Sequence, residues 1–370
     1  MNRKMLLATA ALVAVAVLAW DLLRDPSGAP GAAPAPASAP AARAGAAPAS
    51  AASLGPLGPG APPMSANFLR PAVAKGALNS PLEREFANAT QYKALYERLS
   101  STPEGQTPEG QYYLYRILRA CATVADRKGW APNRTQQAAQ VEERRQQVAA
   151  DLPEGDARRT QRLAAFEKIN VDQCEGMGGL AVNEADLAQM LRSAVAGGDP
   201  KARAFQVEQE MWQERRSVGG GRTGPSLGET QLESLRAALG SKDPEAMVIA
   251  GRVLANNFRD VSVRIGPEQE AIENRAFMNA AMLLACEYGY PCGENNNRVL
   301  SACAYQGHCG VSSLADYMFY YGASPYDAQV LDRYRTLLRQ AVDSGDWSSL
   351  TFQRGARLGG PVTPLVPPTR

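Results

Sequence analysis

The sequence predicts an all-α protein: a multi-helix array of antiparallel helix pairs, stapled by disulfides. Three observations lead there. Proline follows a capping residue at the start of segment after segment, apolar residues recur at helical spacing between those starts, and six cysteines all lie beyond residue 120.

The chain opens with Arg3 and Lys4 ahead of an apolar run from Met5 to Trp20, closed by Asp21, Leu22, Leu23 and Arg24. At 16 residues the run falls between a signal-peptide core and a spanning helix of roughly 20. Residues 1–24 are read as a signal anchor or signal peptide, with an uncleaved anchor preferred to cleavage after Ala19. Residues 25–76 follow as an Ala/Pro-rich linker. Pro26-Ser27-Gly28-Ala29-Pro30 and Pro56-Leu57-Gly58-Pro59-Gly60 are typical of it, and so few large apolar groups do not offset chain entropy. The expected domain spans 77–357, divisible at 180/181 into 77–180 and 181–357, with a disordered tail at 358–370.

Charge narrows the function classes. The chain has 39 Lys plus Arg against 37 Asp plus Glu; Arg3, Lys4, Arg24, Arg43, Asp21 and Asp25 fall in residues 1–64, which leaves the chain beyond them 35 of each sign. A neutral domain has no footprint for nucleic acid. Arg144-Arg145 and Arg158-Arg159 sit beside Glu142, Glu143 and Asp156 and read as mixed-charge helix faces.

Five helix starts share one device. Ser80-Pro81-Leu82-Glu83 has the form of a capping box and predicts a helix through about Leu99; Thr107-Pro108-Glu109, Asp199-Pro200, Asp243-Pro244-Glu245 and Ser324-Pro325-Tyr326-Asp327 repeat it. Leu114, Ile117, Leu118, Cys121 and Val124 form one apolar stripe, and Val330, Leu331, Tyr334, Leu337, Leu338 and Val342 another. Val261-Ser262-Val263-Arg264-Ile265 alternates but is too short and isolated to predict a sheet. Ser217 to Leu227, rich in glycine, is read as a loop, and it lacks the strand and the Gly-Lys-Ser/Thr ending of a phosphate cradle.

Cys121, Cys174, Cys286, Cys292, Cys303 and Cys309 are even in number, as expected of three disulfides in an oxidising compartment. Ala285-Cys286 to Cys292-Gly293 is echoed 17 residues later by Ala302-Cys303 to Cys309-Gly310, each with a Tyr two residues after its first cysteine. Local bridges, Cys286 to Cys292 and Cys303 to Cys309, are favoured over a crossed pairing such as Cys286 to Cys303. Cys121 and Cys174 would then join more distant helices, at roughly 4 kcal/mol in the entropic picture. A zinc site is disfavoured by the five-residue separations and by a single histidine, His308, so neither metal nor cofactor is expected.

Leu191 to Ala202 matches Leu235 to Ala246 at an offset of 44, through Leu-Arg-x-Ala and Asp-Pro-x-Ala, with a fainter copy at Leu338 to Trp347. The pattern resembles the helix-turn-helix units of exported Sel1-like and tetratricopeptide-type repeat proteins, with the departure that their regular aromatic and glycine positions in the second helix are missing. That resemblance implies paired helices packed closely at alanine and glycine; the alternative is an irregular bundle without true repeats.

No motif carries chemistry plainly. His308 is the sole base for a nucleophilic triad and adjoins a cysteine expected to be oxidised. Eight of the 13 tyrosines lie between Tyr288 and Tyr334, and Tyr288, Tyr290, Tyr305, Tyr317, Tyr320 and Tyr321 are the candidate binding residues, set against their plainer role of sealing a subdomain. The expected function is an envelope-tethered binding or scaffold module, in the periplasm, that engages another envelope protein and meets the membrane only through its N-terminal segment. The alternative is a cell-wall glycan-acting enzyme using carboxylates, with Glu287 and Glu294 as candidates.

Overall fold

The computed structural model describes residues 80–124, 134–217 and 224–355. The expected anchor, linker and tail lie outside them, as does most of the Ser217–Leu227 loop. Helix takes 65 % of the described residues, which settles the all-α class. Thirteen α-helices occur among them. The first five are α1 (Pro81–Asn88), α2 (Lys93–Ser101), α3 (Pro108–Cys121), α4 (Arg134–Ala150) and α5 (Ala157–Ile169). Next come α6 (Glu184–Ala196), α7 (Pro200–Ser217), α8 (Glu229–Gly240) and α9 (Pro244–Leu254). The last four are α10 (Asn274–Glu287), α11 (Asn297–Gln306), α12 (Leu314–Tyr320) and α13 (Pro325–Ser344).

Each proline-led start is a helix start. The Ser80, Thr107, Asp243 and Ser324 side chains accept a backbone N–H of the first turn, and Asp199 Oδ1 accepts from Ala202 N at 2.8 Å. Such caps satisfy donors that no helical carbonyl can reach. The first helix is shorter than expected, because Ala89–Tyr92 interrupts it. Hydrogen bonds to another segment hold that break open: Tyr92 N donates to Gln173 O at 2.8 Å, and the Gln173 side-chain Nε2 donates to Ala89 O at 2.8 Å. A tertiary partner overrides the local helical pattern there.

The helices pack in a continuous series. α3 lies on α6, α6 on α7, α7 on α8 and α9, α9 on α10, and α10 on α13; α4 and α5 pair, and α5 rests on α11. Pairs therefore form across position 180/181. The largest core runs from Ala204 to Leu350, a second from Leu82 to Ala202, and Phe205 packs against both. α9 and α10 approach closely where Gly251 faces Ala281; a methyl on Gly251 would come within 2.3 Å of the Ala281 Cβ. Gly251→Ala should thus cost about 1–3 kcal/mol by overpacking, despite alanine's better helix propensity, as read by urea denaturation. An unchanged or raised midpoint would show that the two helices slide apart freely.

One expectation needs correction. Val261–Ile265 is the central strand, β3, of a three-stranded antiparallel sheet whose neighbours are β4 (Glu270–Ala271) and β5 (Leu350–Arg354). The alternation does place Val261, Val263 and Ile265 inward. The main partner is about 90 residues away, with Val263 opposite Phe352, so only tertiary structure supplies it. A further pair, β1 (Thr123–Val124) and β2 (Ala181–Val182), is parallel. The two matching segments at offset 44 become equivalent hairpins, α6–α7 and α8–α9. The fainter third copy does not: α13 ends at Gly345, and the chain turns into β5.

Candidate functional site

Three disulfides join Cys121 to Cys174, Cys286 to Cys292 and Cys303 to Cys309, the favoured pairing, and no described cysteine is free. The two local bridges close the turns after α10 and α11. Gly307, at φ 77°, occupies the left-handed C-cap of α11, a conformation that a side chain would strain. Leu314 N then donates to Cys292 O at 2.8 Å, and Gly293 pairs with Ser313, so the first bridged turn also anchors the start of α12. The second bridged turn, running into α12, carries tyrosines along a braced frame.

The structure divides the six candidate tyrosines. Tyr288 is drawn inside at 2 % exposure, its hydroxyl donating to Asp343 Oδ1 at 2.8 Å. Burial first, and then that bond, push its pKa up, so it stays a neutral donor. Tyr290 is half-buried against the main core. Tyr305, Tyr320 and Tyr321 remain 47 %, 58 % and 53 % exposed, and Tyr317 is intermediate. Two contacts tie the end of α11 to α12: Gln306 Nε2 donates to Tyr317 Oη at 3.4 Å, and the His308 and Tyr321 ring centroids lie 4.2 Å apart. Tyr326, outside the six, is 62 % exposed and donates to Glu273 Oε1 at 2.8 Å. Four of the six exposed large hydrophobic residues among those described are therefore tyrosines between 305 and 326. The nearby pocket, lined by Glu273, Arg275, Gly322 and Asp327, measures only about 50 Å³, too small to enclose an organic ligand.

The two carboxylates singled out for glycan chemistry are far from equivalent. Glu294 is exposed on the turn before α11, whereas Glu287 is 4 % exposed at the end of α10. There it pairs with Arg335 Nη1 at 3.5 Å and with Arg339. It is an interior ion pair rather than a surface group. Among the described residues, no group of three or more His, Cys, Asp or Glu is arranged to hold a metal ion.

Sequence reasoning missed a second polar site, where the first turns of α1, α3, α7 and α9 meet. Lys201, 3 % exposed, places Nζ 3.0 Å from Glu109 Oε1, 2.8 Å from Asp243 Oδ2 and 3.5 Å from Asp199 Oδ2. Asp199 and Asp243, equivalent in the two hairpins, each cap their own helix with Oδ1 and hold the lysine with Oδ2. Beside them Glu245 accepts from Tyr112 Oη at 2.9 Å, Tyr113 Oη at 3.0 Å and Arg116 Nη1 at 2.6 Å. Burial alone would lower the Lys201 pKa; Asp243, Asp199 and Glu109 outweigh it and raise it, so the ammonium is permanent. One signal was available: a lysine in the first turn of a helix opposes the macrodipole and calls for nearby carboxylates.

With fold and site defined, the class is that of a disulfide-braced, all-α protein with exposed tyrosines between 305 and 326. No family model matches the chain, and neither a curated protein nor a solved structure matches it.

Proposed function

We propose that the protein is an envelope-tethered helical binding module that engages another envelope protein through the tyrosine face around Tyr305, Tyr317, Tyr320 and Tyr321. The observation that carries this reading is the run of exposed tyrosines from Tyr305, inside the Cys303–Cys309 loop, to Tyr320, Tyr321 and Tyr326, on and just after a helix whose start is tied to the Cys292 turn. Tyrosine offers a large apolar face and a polar tip for few rotatable bonds, and a frame already ordered loses little entropy on binding. The disulfides support an oxidising compartment, and residues 1–24 supply the proposed tether to the inner membrane. No helix of the described residues is long and apolar enough to cross a membrane. The offset-44 hairpins support the proposed kinship with Sel1-like repeats. The glycan-acting alternative draws no support from Glu287, whose carboxylate is engaged by two arginines.

A photo-crosslinking residue at Tyr320 should give a discrete protein adduct in the intact envelope, while the same residue at Gln147 on α4 should not. Combining Tyr305→Ser, Tyr320→Ser and Tyr321→Ser should cut adduct formation at a neighbouring Tyr317 probe at least tenfold, at under about 0.5 kcal/mol of stability per change. Equal adducts from both probe positions would remove the tyrosine face from the reading, and murein hydrolysis lost in Glu294→Gln would replace it with the enzyme.

A further inference from the structure

We propose that Glu83 is a proton-binding latch: it holds α1 against the first turns of α3, α7 and α9 when neutral and releases it when ionised. The geometry is specific. α1 has eight residues, of which only Leu82 and Glu83 are buried. An isolated helix of that length is marginal in water, so α1 persists because it is docked. One of those two is a carboxylic acid, 3 % exposed, whose Oε2 is buried without a hydrogen-bond partner. The Ser80 side chain caps the helix through Glu83 N, but the Glu83 carboxyl points inward rather than completing the capping box in solvent.

What Glu83 meets there is negative. Asp243 and Glu245 on α9 and Glu109 on α3 all disfavour its charge; Lys201 on α7 favours it, but Lys201 is already shared among Glu109, Asp199 and Asp243. Tyr113 on α3 also faces Glu83, and its hydroxyl is committed to Glu245. Arg116 is likewise spent on Glu245 and Tyr112. Five carboxyl groups thus share two cations, Lys201 and Arg116. The helix N-termini offset part of the excess, and a proton on Glu83 offsets more.

Burial first, then Asp243 and Glu245, push the Glu83 carboxyl up to about 8 from an ordinary 4.5. Asp199 shifts upward as well, again chiefly by burial. An acid whose native pKa is raised binds its proton more tightly docked than free. Docking is therefore fully favoured below about 4.5, weakens as pH rises, and has lost this contribution above about 8. Release would uncover the face under α1, where the Phe86 ring now stacks on Tyr92, centroids 5.0 Å apart, and lies tilted against Tyr113 at 4.7 Å. The device makes access to that face depend on ambient acidity.

The test is amide hydrogen exchange on the full chain, corrected for the intrinsic pH dependence of exchange. Protection of α1 should fall on the order of tenfold or more between pH 6 and pH 8.5, while α10 stays protected. Glu83→Gln, which mimics the neutral acid, should abolish the fall and leave α1 better protected than wild type at pH 8.5. Should that variant fail to fold, a carboxyl-carbon NMR titration of the wild type decides, with one glutamate expected to titrate near 8. Constant α1 protection, a fall that survives in Glu83→Gln, or glutamates that all titrate below about 6 would each overturn the latch.

Discussion

Lys201→Met is expected to destabilise the protein by about 3–5 kcal/mol, the range for breaking a buried ion pair from one side. The lysine is the shared counter-ion of Glu109, Asp199 and Asp243, and its Nζ also sits 5.7 Å from the Tyr113 ring centroid. Methionine would fill the space and keep the stem's packing, but three carboxylates would be left facing one another in a partly desolvated site. The loss should be readable as a fall in Tm on the order of 5–15 °C. Because the native lysine pKa is raised, its stabilising contribution is fully present below the ordinary value of about 10.4 and is lost only as pH climbs through the higher native one. Stability supplied by Lys201 is thus constant across neutral pH, in contrast to that supplied by Glu83. A Tm within 2 °C of wild type would show that the three acids are solvated or protonated, and that the cluster is not held together by charge.

Removing the Cys121–Cys174 bridge, by Cys121→Ala with Cys174→Ala, should cost about 4 kcal/mol, given its sequence separation of 53. The same entropic relation gives only about 2 kcal/mol for either local bridge, each with a separation of 6. The long bridge ties the end of α3 to the segment after α5, which also provides, through Gln173, the hydrogen bonds that hold the Ala89–Tyr92 break. Its loss should therefore loosen the α1–α2 junction as well as lower the denaturation midpoint. Removing Cys303–Cys309 should instead leave the midpoint less affected and weaken the tyrosine face, since that bridge orders the turn that carries His308. If all three removals shifted the midpoint equally, loop length would not govern their contributions.

Much of the helical layout was legible because its signals are local. Ser80, Thr107, Asp199, Asp243 and Ser324 each announce a helix through a side-chain acceptor followed by proline, and the chemistry that satisfies the first-turn N–H groups is complete within four residues. The disulfide pairing was partly legible for the same reason, the local loops being short. The tyrosine face was legible only as a dense stretch. Whether a given ring lies inside, as Tyr288 does, or outside, as Tyr320 does, depends on which side of its element meets a neighbour.

Composition, capping residues and apolar spacing by themselves determined an all-α chain with six cysteines available for crosslinks, since each of these properties is carried by residues within one or two helical turns. Only the tertiary structure decided that the alternating Val261–Ile265 would find Leu350–Arg354 as a strand partner, that the Ser80 helix would break at Ala89, and that four helix starts would converge on Lys201. Those outcomes join residues tens of positions apart, and no local propensity encodes them. What selects them is the burial of charge and backbone groups that must find partners wherever the packed helices bring them.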